Sequence, residues 1–585
     1  MADKRTMRPY LMLLGLCLLL YLPGQCSIPA VDRDEARFVQ ASRQMLEDGD
    51  FVRIRFQNEP RHKKPVGIYW LQAASVAAAG TLHTDSLWPY RLPSVAGAVL
   101  AVMLTFSFGR RWFGETDAFL GAGFLAASVL LVVEAHLAKT DAVQLAAACA
   151  AQGALGTVYL AHRRGDPARW TSPLAFWIAM GIGILIKGPV LPMVSLLTVV
   201  ALCAADRQVR WLKRLRPAAG LLLTALIVTP WMISIYRATG GTFFTDAVGG
   251  DLLPKLVGGQ ESHGAPPGTY LVLVFATFWP GSLFVWPALS RGFPLRQKPE
   301  VRFLLAWLIP TWIAFELIPT KLPHYVLPLY PALALLAGNL VSDADSGTLL
   351  KTKPALANRI VWVVVTLALV GLILSVSPLM RGKVAPVSLI PAAAGLLTAA
   401  AGWRLLRRFR PRRAAGAVLV GAVLVLGPTF SAVFPNVTPL WLSRQTAKTV
   451  EALAGSGAVP VSAAAGYHEP SLVFHLGTRT LLTDAAGAAA FLAPGGCRFA
   501  IVADSVRETF VENAQKMRLP VVERAAVTGF NYTKGHWVTL HIFTRKPDAA
   551  NSGTGGSPPG QAGAGPSDPC IETPDMRIYG LSSFR

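Results

Sequence analysis

Charged residues are scarce in this chain of 585 residues. Only 15% of the residues are Asp, Glu, Lys or Arg, whereas soluble domains carry about 25%. Hydrophobic residues make up 52% of the chain, and its mean hydropathy is +0.44. This composition excludes an ordinary soluble protein and indicates an integral membrane protein.

Two other features are missing. The six cysteines form no CxxC pair and show no metal-type spacing, which gives no support to a cysteine-ligated metal site. No basic face carries interleaved aromatic residues, although the net charge is +22. The Lys and Arg residues fall instead in short clusters between apolar segments, as the positive-inside rule describes. We therefore expect membrane lipid, and no nucleic acid, among the partners.

The first apolar run, Leu11–Leu22, is followed by no clean small-x-small cleavage site, so we expect an uncleaved first helix. A spanning helix needs about 20 apolar residues, and the chain has about thirteen candidate spans on that criterion. If the N-terminus is on the cytoplasmic side, nearly all basic clusters fall in cytoplasmic loops. The prediction is an all-α polytopic membrane domain over residues 1–434, with a first outer loop at 27–91.

The chain after the last candidate span changes character. Residues 435–548 alternate turns with short β-rich runs around a predicted helix at Glu508–Met517. This pattern predicts a small α/β domain on the periplasmic side. Residues 549–585 begin with a Gly/Ser/Pro-rich stretch, so we expect a mostly disordered tail.

The first outer loop is unusual because it is outside yet rich in Lys and Arg. The apolar spacing after Asp34 predicts an interfacial helix over Glu35–Leu46, and a second interfacial helix is predicted over Val66–Ala79. One interpretation of Asp34, Glu35 and Arg37 is a helix cap with a surface ion pair. The other, which fits the sequence equally well, is that a carboxylate of this group acts as general base on an acceptor hydroxyl.

Several cationic and polar residues fall at predicted outer span ends. Lys63 and Lys64 would contact lipid head groups or stabilise a phosphate leaving group. Asp141 starts a predicted span as a helix cap or a second acid, and Lys187 is a candidate phosphate ligand because lysine near lipid is costly. A short outer loop holds the remaining candidates, which an ordinary turn with interface anchors would explain equally well: Lys321, His324 and Tyr325.

A metal site is not assigned. His263 and Glu261 could ligate a metal ion, but the polarity of their loop explains them equally well. A divalent metal therefore stays an open alternative.

Two other functions compete with catalysis. A transporter or flippase for a lipid-linked substrate predicts inverted repeats and charges deep inside spans, and the chain shows neither. A non-catalytic membrane assembly protein would account for the outer domain but leaves Lys187 and the first loop unexplained.

Five motifs in order resemble a known family: DEARFVQASRQMLEDGDF, KKPVGIYWLQA, TDAVQLAAA, KGPV and KLPHYVLPLYP. The chain resembles the bacterial aminoarabinose-transferase-like enzymes of lipid A, within the protein O-mannosyltransferase-like group with the GT-C fold. The resemblance covers roughly residues 9–435. It implies an inverting transfer of a hexose or pentose from undecaprenyl phosphate to a lipid A, glycan or protein acceptor at the periplasmic face of the inner membrane.

The resemblance also implies residue roles. Asp34 matches the first-loop acid, with Arg37 beside it, and Asp141 matches the second acidic site. The carrier phosphate would be held by three cations, Arg37, Lys64 and Lys187, and Tyr325 lies in the loop that closes over the carrier. One departure is Lys63, because relatives often carry glutamate there. That glutamate can take part in a metal site, so the change puts metal binding in doubt, and its extra positive charge would suit a more anionic donor or acceptor.

Overall fold

The computed structural model describes residues 4–82, 85–257, 264–342, 350–455 and 458–546. These residues form two compact units. The first holds the described residues up to Ile28 together with Ala41–Asn436. The second holds Pro29–Gln40 together with the described residues from Val437 onward.

The chain up to Asn436 is almost entirely helical. Its α-helices are α1 (Lys4–Tyr21), α2 (Asp34–Asp48), α3 (Gly67–Ala79), α4 (Trp88–Phe113), α5 (Glu115–Ala127), α6 (Val129–Ala135), α7 (Asp141–Arg164), α8 (Thr171–Lys187), α9 (Val190–Asp206), α10 (Pro217–Thr239), α11 (Thr242–Phe244), α12 (Leu253–Val257), α13 (Thr269–Thr277), α14 (Val285–Gly292), α15 (Pro299–Leu317), α16 (Tyr330–Ser342), α17 (Lys353–Arg381), α18 (Leu389–Arg407) and α19 (Pro411–Pro428). A small hairpin, β1 (Arg55–Phe56) and β2 (Glu59–Pro60), lies between α2 and α3.

The predicted all-α polytopic fold is confirmed, but the count of about thirteen spans is not. Among the described residues, 7 helical segments are long and apolar enough to cross a membrane, or up to 9 if each of two bent pairs is one span. Three further apolar helices have only 10–17 residues. The two counts differ because the sequence window takes short and bent helices as full spans, whereas the count from the structure requires helices of at least 18 residues.

The bends have local causes. Helices α5 and α6 meet at 59°, where Ser128 has extended backbone (φ −62°, ψ 130°) that interrupts the helix. The second pair, Thr269–Thr277 and Gly281–Gly292, meets at 120°. Pro280 lies in this break, and its ring cannot continue the hydrogen-bond ladder of the first helix.

Two glycines allow close packing around α7 and α8. A Cβ on Gly97 of α4 would lie 2.8 Å from the Cα of Val143 in α7. A Cβ on Gly67, the first residue of α3, would lie 2.7 Å from the carbonyl oxygen of Leu185 in α8. Only glycine permits these approaches. The second one brings the loop before α3 against the C-terminal end of α8, which carries Lys187.

The second unit is an α/β domain, as predicted. Its strands β3 (Val461–Ala465), β4 (Leu481–Thr483), β5 (Arg498–Ala503), β6 (Val521–Asn531) and β7 (His536–Arg545) form one sheet in the order β4-β3-β5-β7-β6. The pairs β3·β4 and β3·β5 are parallel, whereas β7 is antiparallel to both neighbours. One apolar core lies against α20 (Leu442–Ala454) and α21 (Pro470–Leu476), and another against α22 (Ala485–Leu492) and α23 (Arg507–Lys516).

The segment Pro29–Gln40 belongs to this second unit. The carboxylate of Asp32 accepts hydrogen bonds from the backbone N–H of Ser471 (2.8 Å) and from the hydroxyl of Ser471. The backbone N–H of Asp32 donates to the hydroxyl of Tyr532 (2.7 Å), and Nε2 of Gln40 donates to Thr478 (2.7 Å). The N-terminal end of α2 is therefore anchored on the C-terminal domain.

Candidate active site

A cavity of about 410 Å³ lies in the first unit. Most of its wall is apolar, including Leu185, Val190, Met193, Val228, Trp231 and Phe243. Its charged lining residues are the lysines Lys63, Lys64, Lys187 and Lys255 and the acids Asp141 and Asp251. Lysines outnumber carboxylates in this lining, so the cavity combines an apolar wall with an excess of positive charge.

Lys187 and Asp141 form an ion pair in the cavity wall. Lys187 is the last residue of α8, and Asp141 is the first residue of α7. The Nζ of Lys187 donates a hydrogen bond to Oδ1 of Asp141. A second ammonium group, that of Lys139, lies 3.9 Å from Oδ2 of Asp141 and 3.4 Å from Oε1 of Glu134. These charges are buried but mutually compensated.

Lys64 is paired with a carboxylate that sequence reasoning missed. Its Nζ lies 3.0 Å from Oδ2 of Asp251, and Nζ of Lys255 lies 2.5 Å from the other oxygen. Burial lowers the pKa of Lys64 to about 8, although Asp251 acts in the opposite direction. Lys255 follows Asp251 by four residues on one helical segment. This spacing predicts the ion pair between those two residues, but the sequence gives no signal for the pairing of Asp251 with Lys64.

The predicted substrate loop divides into two parts. His324 and Tyr325 line the cavity, and Nζ of Lys187 lies 5.6 Å from the centre of the Tyr325 ring. Lys321 is not among the lining residues. Its ammonium donates to the carbonyl groups of Glu316 (2.8 Å) and Ile318 (2.6 Å), at the C-terminal end of α15. A cation there complements the helix dipole, so the contacts of Lys321 are structural.

Asp34, Glu35 and Arg37 belong to the second unit and not to the unit that holds the cavity. Asp34 is the first residue of α2 and its side chain is exposed. Glu35 is buried, and its Oε2 accepts a hydrogen bond from the backbone N–H of Val31 (2.9 Å). Glu35 therefore stabilises the first turn, which leaves Asp34 as the solvent-facing carboxylate of the pair.

Anchoring through Asp32 predicts a pH dependence. Burial raises the pKa of Asp32 to about 7, while hydrogen bonds from Ser471 act in the opposite direction. An unfolded aspartate loses its proton near about pH 4, so the folded domain holds an extra proton between that pH and the raised pKa. The free energy of unfolding should therefore fall as pH rises through this window.

The test is hydrogen exchange of residues 29–40, corrected for the intrinsic effect of pH. The asparagine of the Asp32→Asn variant cannot ionise, so the protection of residues 29–40 from exchange should lose this part of the pH dependence in that variant. Equal slopes in the wild type and in Asp32→Asn would contradict the prediction.

A metal ion fits the described residues poorly. Glu134, Asp141 and His324 each offer one ligand atom, all within 4.8 Å of one another. The ammonium groups of Lys139 and Lys187 already contact these carboxylates, so a cation would have to displace them. We derive no step through a metal. The weaker candidates, Glu261 and His263, lie outside the described residues.

A helical membrane unit with an apolar, lysine-bearing cavity and a small α/β domain agree with the architecture that the resemblance to GT-C glycosyltransferases predicts. Solved structures agree. The structure of ArnT from Cupriavidus metallidurans bound to undecaprenyl phosphate matches with a TM-score of 0.68 and 19% identity, over 91% of this chain and 97% of that one. The oligosaccharyltransferase AglB from Archaeoglobus fulgidus matches with a TM-score of 0.51 and 12% identity, over 86% of this chain and 70% of that one.

Sequence comparisons point the same way. Residues 63–233 match the family described as dolichyl-phosphate-mannose-protein mannosyltransferase. The undecaprenyl phosphate-alpha-4-amino-4-deoxy-L-arabinose arabinosyl transferase 2 of Pseudomonas fluorescens is 28% identical, over 72% of this chain and 75% of the relative. The corresponding transferase of Pseudomonas paraeruginosa is 30% identical, over 52% of this chain and 54% of its own length.

These matches confirm the predicted resemblance. The chain is similar to the aminoarabinose-transferase-like enzymes over most of its length, has the fold of the GT-C glycosyltransferases and is a multi-pass inner-membrane protein.

Proposed function

We propose that the protein transfers a sugar from undecaprenyl phosphate to lipid A or another acceptor at the periplasmic face of the inner membrane. The observation that carries the proposal is the cavity, in which an apolar wall meets several lysines. A polyprenyl phosphate has the complementary chemistry, because its tail is apolar and its head group is anionic. The N-terminus would be cytoplasmic and the C-terminal domain periplasmic.

The lysines would stabilise the leaving group. When the glycosidic bond breaks, negative charge grows on the phosphate of the carrier, and fixed cations in a site that excludes water stabilise this charge strongly. Lys64 and Lys187 are suited to this role because each is held in place by a carboxylate, Asp251 and Asp141 respectively. Lys63 adds charge to the same cavity.

The acceptor would decide the role of Asp34. An acceptor hydroxyl must lose a proton during transfer, and an exposed carboxylate can take it as general base. An acceptor phosphate is already ionised and needs no base, so Asp34 would then orient the groups. Arg37 would help to hold the carrier phosphate, and Glu35 would support the segment that bears Asp34. These roles come from the sequence resemblance.

The pH dependence of carrier binding tests the role of Lys64. Because burial lowers its pKa to about 8, the ammonium charge is lost as pH rises through that value. Affinity for undecaprenyl phosphate should therefore fall between about pH 8 and 9.5, where the phosphate itself keeps a constant charge. Lys64→Arg should keep its affinity over the same range, because a guanidinium stays protonated.

Titration of the purified protein with undecaprenyl phosphate measures both curves. Either a flat wild-type curve or an equal fall in Lys64→Arg would contradict the role of Lys64.

The acceptor can be identified in cells. Mass spectrometry of lipid A and surface glycans should show one glycoform missing from a deletion strain and restored by the wild-type gene. An unchanged profile in both fractions would contradict the proposed acceptors.

A further inference from the structure

Gln144 is a buried polar residue that the contacts described so far leave unexplained. It lines the cavity from α7, and only 1% of its surface is exposed. Among the described residues, neither Nε2 nor Oε1 of its side chain has a hydrogen-bond partner. Buried amides are almost always paired, because the loss of their hydration is costly. A ligand in the cavity would supply the missing partners.

The chemistry of the amide narrows the choice of ligand. Nε2 donates hydrogen bonds and Oε1 accepts them. A prenyl tail offers neither partner. A phosphodiester only accepts, so it could satisfy Nε2 but would leave Oε1 unpaired. A sugar hydroxyl or amino group can donate as well as accept, and a sugar with several such groups can satisfy both ends of the amide.

The position of Gln144 agrees with this choice. It follows Asp141 by three residues, so the two side chains share one face of α7, about one turn apart. Asp141 is paired with Lys187, which would hold the carrier phosphate. A sugar bonded to that phosphate would therefore lie within reach of the next turn of α7.

We propose that Gln144 forms the subsite for the donor sugar and reads its hydroxyl or amino groups. This inference rests on the proposed function, since it presupposes that a carrier phosphate bearing a sugar binds in the cavity. Gln144 is then a residue that determines specificity for the sugar, while the lysines bind the phosphate that all such carriers share.

Replacing Gln144 by leucine separates this role from a structural one. Leucine fills a similar volume and removes an unpaired amide, so the midpoint of thermal unfolding should stay equal or rise. The affinity for undecaprenyl phosphate without sugar should not change. The kcat/KM for undecaprenyl phosphate–aminoarabinose should fall about 10- to 100-fold, because the hydrogen bonds to the sugar are lost.

Gln152 provides a matched control on the same helix. It is fully buried, does not line the cavity, and its Nε2 donates to Ser195 at 3.4 Å. Its Oε1, like that of Gln144, has no hydrogen-bond partner among the described residues, so Gln152→Leu removes a comparable buried amide. Gln152→Leu should leave unchanged the ratio between the affinity for the carrier with a sugar and the affinity for the carrier without one.

Two results would overturn the inference. If Gln144→Leu weakened the binding of the carrier with sugar and of the carrier without sugar equally, the amide would contact the phosphate. If it weakened the binding of neither, the amide would contact only water. Gln144→Met gives the same comparison if the leucine variant does not fold. The proposed function fails in a different way, namely if the wild-type protein binds neither carrier.

Discussion

Replacing Lys187 by methionine is expected to slow sugar transfer by about 100- to 1,000-fold, the usual effect of removing one group that stabilises charge in a transition state. Lys187 is held in the cavity wall by Asp141 and lies 5.6 Å from the Tyr325 ring. Methionine has a similar length but no charge. The rate is measured with purified protein and an undecaprenyl phosphate-linked sugar, at saturating donor.

The variant also has a structural effect that must be separated from the catalytic one. Without Lys187, Asp141 loses one partner of a buried ion pair, which typically costs about 3–5 kcal/mol. Adding Asp141→Asn removes the carboxylate that has lost this partner, so the double variant should regain stability without regaining activity. Recovery of transfer in the double variant would contradict a direct role for Lys187.

Lys139 is the matched control for charge. Its ammonium contacts Glu134 and Asp141, as described above, but it does not line the cavity. Lys139→Met should therefore destabilise the protein while affinity for undecaprenyl phosphate is retained. Lys187→Met should lose that affinity. If both variants bind the carrier equally well, the excess of lysines in the cavity does not bind phosphate.

The second large effect is expected at Asp34. Replacing it by asparagine should slow transfer to a hydroxyl acceptor by about 100- to 10,000-fold, because a general base is removed. The stability should hardly change, since the side chain is exposed. With an acceptor phosphate the loss should be smaller, because no proton has to be removed. The comparison of the two acceptor classes therefore reports the role of the carboxylate directly.

Asp48 is a suitable control for Asp34, because it is an exposed aspartate at the opposite end of α2. Its oxygen lies 3.7 Å from Arg55, a surface ion pair of small expected value. Asp48→Asn should keep nearly full activity. Full activity of Asp34→Asn at normal membrane levels would remove the first-loop acid from the mechanism.

The sequence predicts the fold class well because hydropathy and charge depend on local composition. It also predicts that Asp141 and Lys187 lie together, since both fall at outer ends of candidate spans. The partner of Lys64 could not be predicted, because Asp251 is 187 residues away in the chain. The attachment of Pro29–Gln40 to the C-terminal domain depends on a hydrogen bond between residues 439 positions apart.

Local patterns also mislead where one residue type serves two purposes. Lys321 stands in a motif of polar and proline residues that indicates a substrate loop, yet its ammonium binds carbonyl groups at the end of α15. The charge pattern around a helix end looks the same in both cases. Gln144 gives no sequence signal, because a glutamine on an apolar helix reveals its unpaired amide only when the neighbouring helices are in place.

The most direct test of the account is transfer by the purified protein in liposomes. The donor is undecaprenyl phosphate–aminoarabinose with a labelled sugar, and the acceptor is lipid A. We expect labelled lipid A and free undecaprenyl phosphate to appear in equal amounts, and Lys187→Met to form both about 100- to 1,000-fold more slowly. Two results would contradict the proposed transfer: labelled donor that crosses the membrane intact, or a donor from which the sugar is never cleaved.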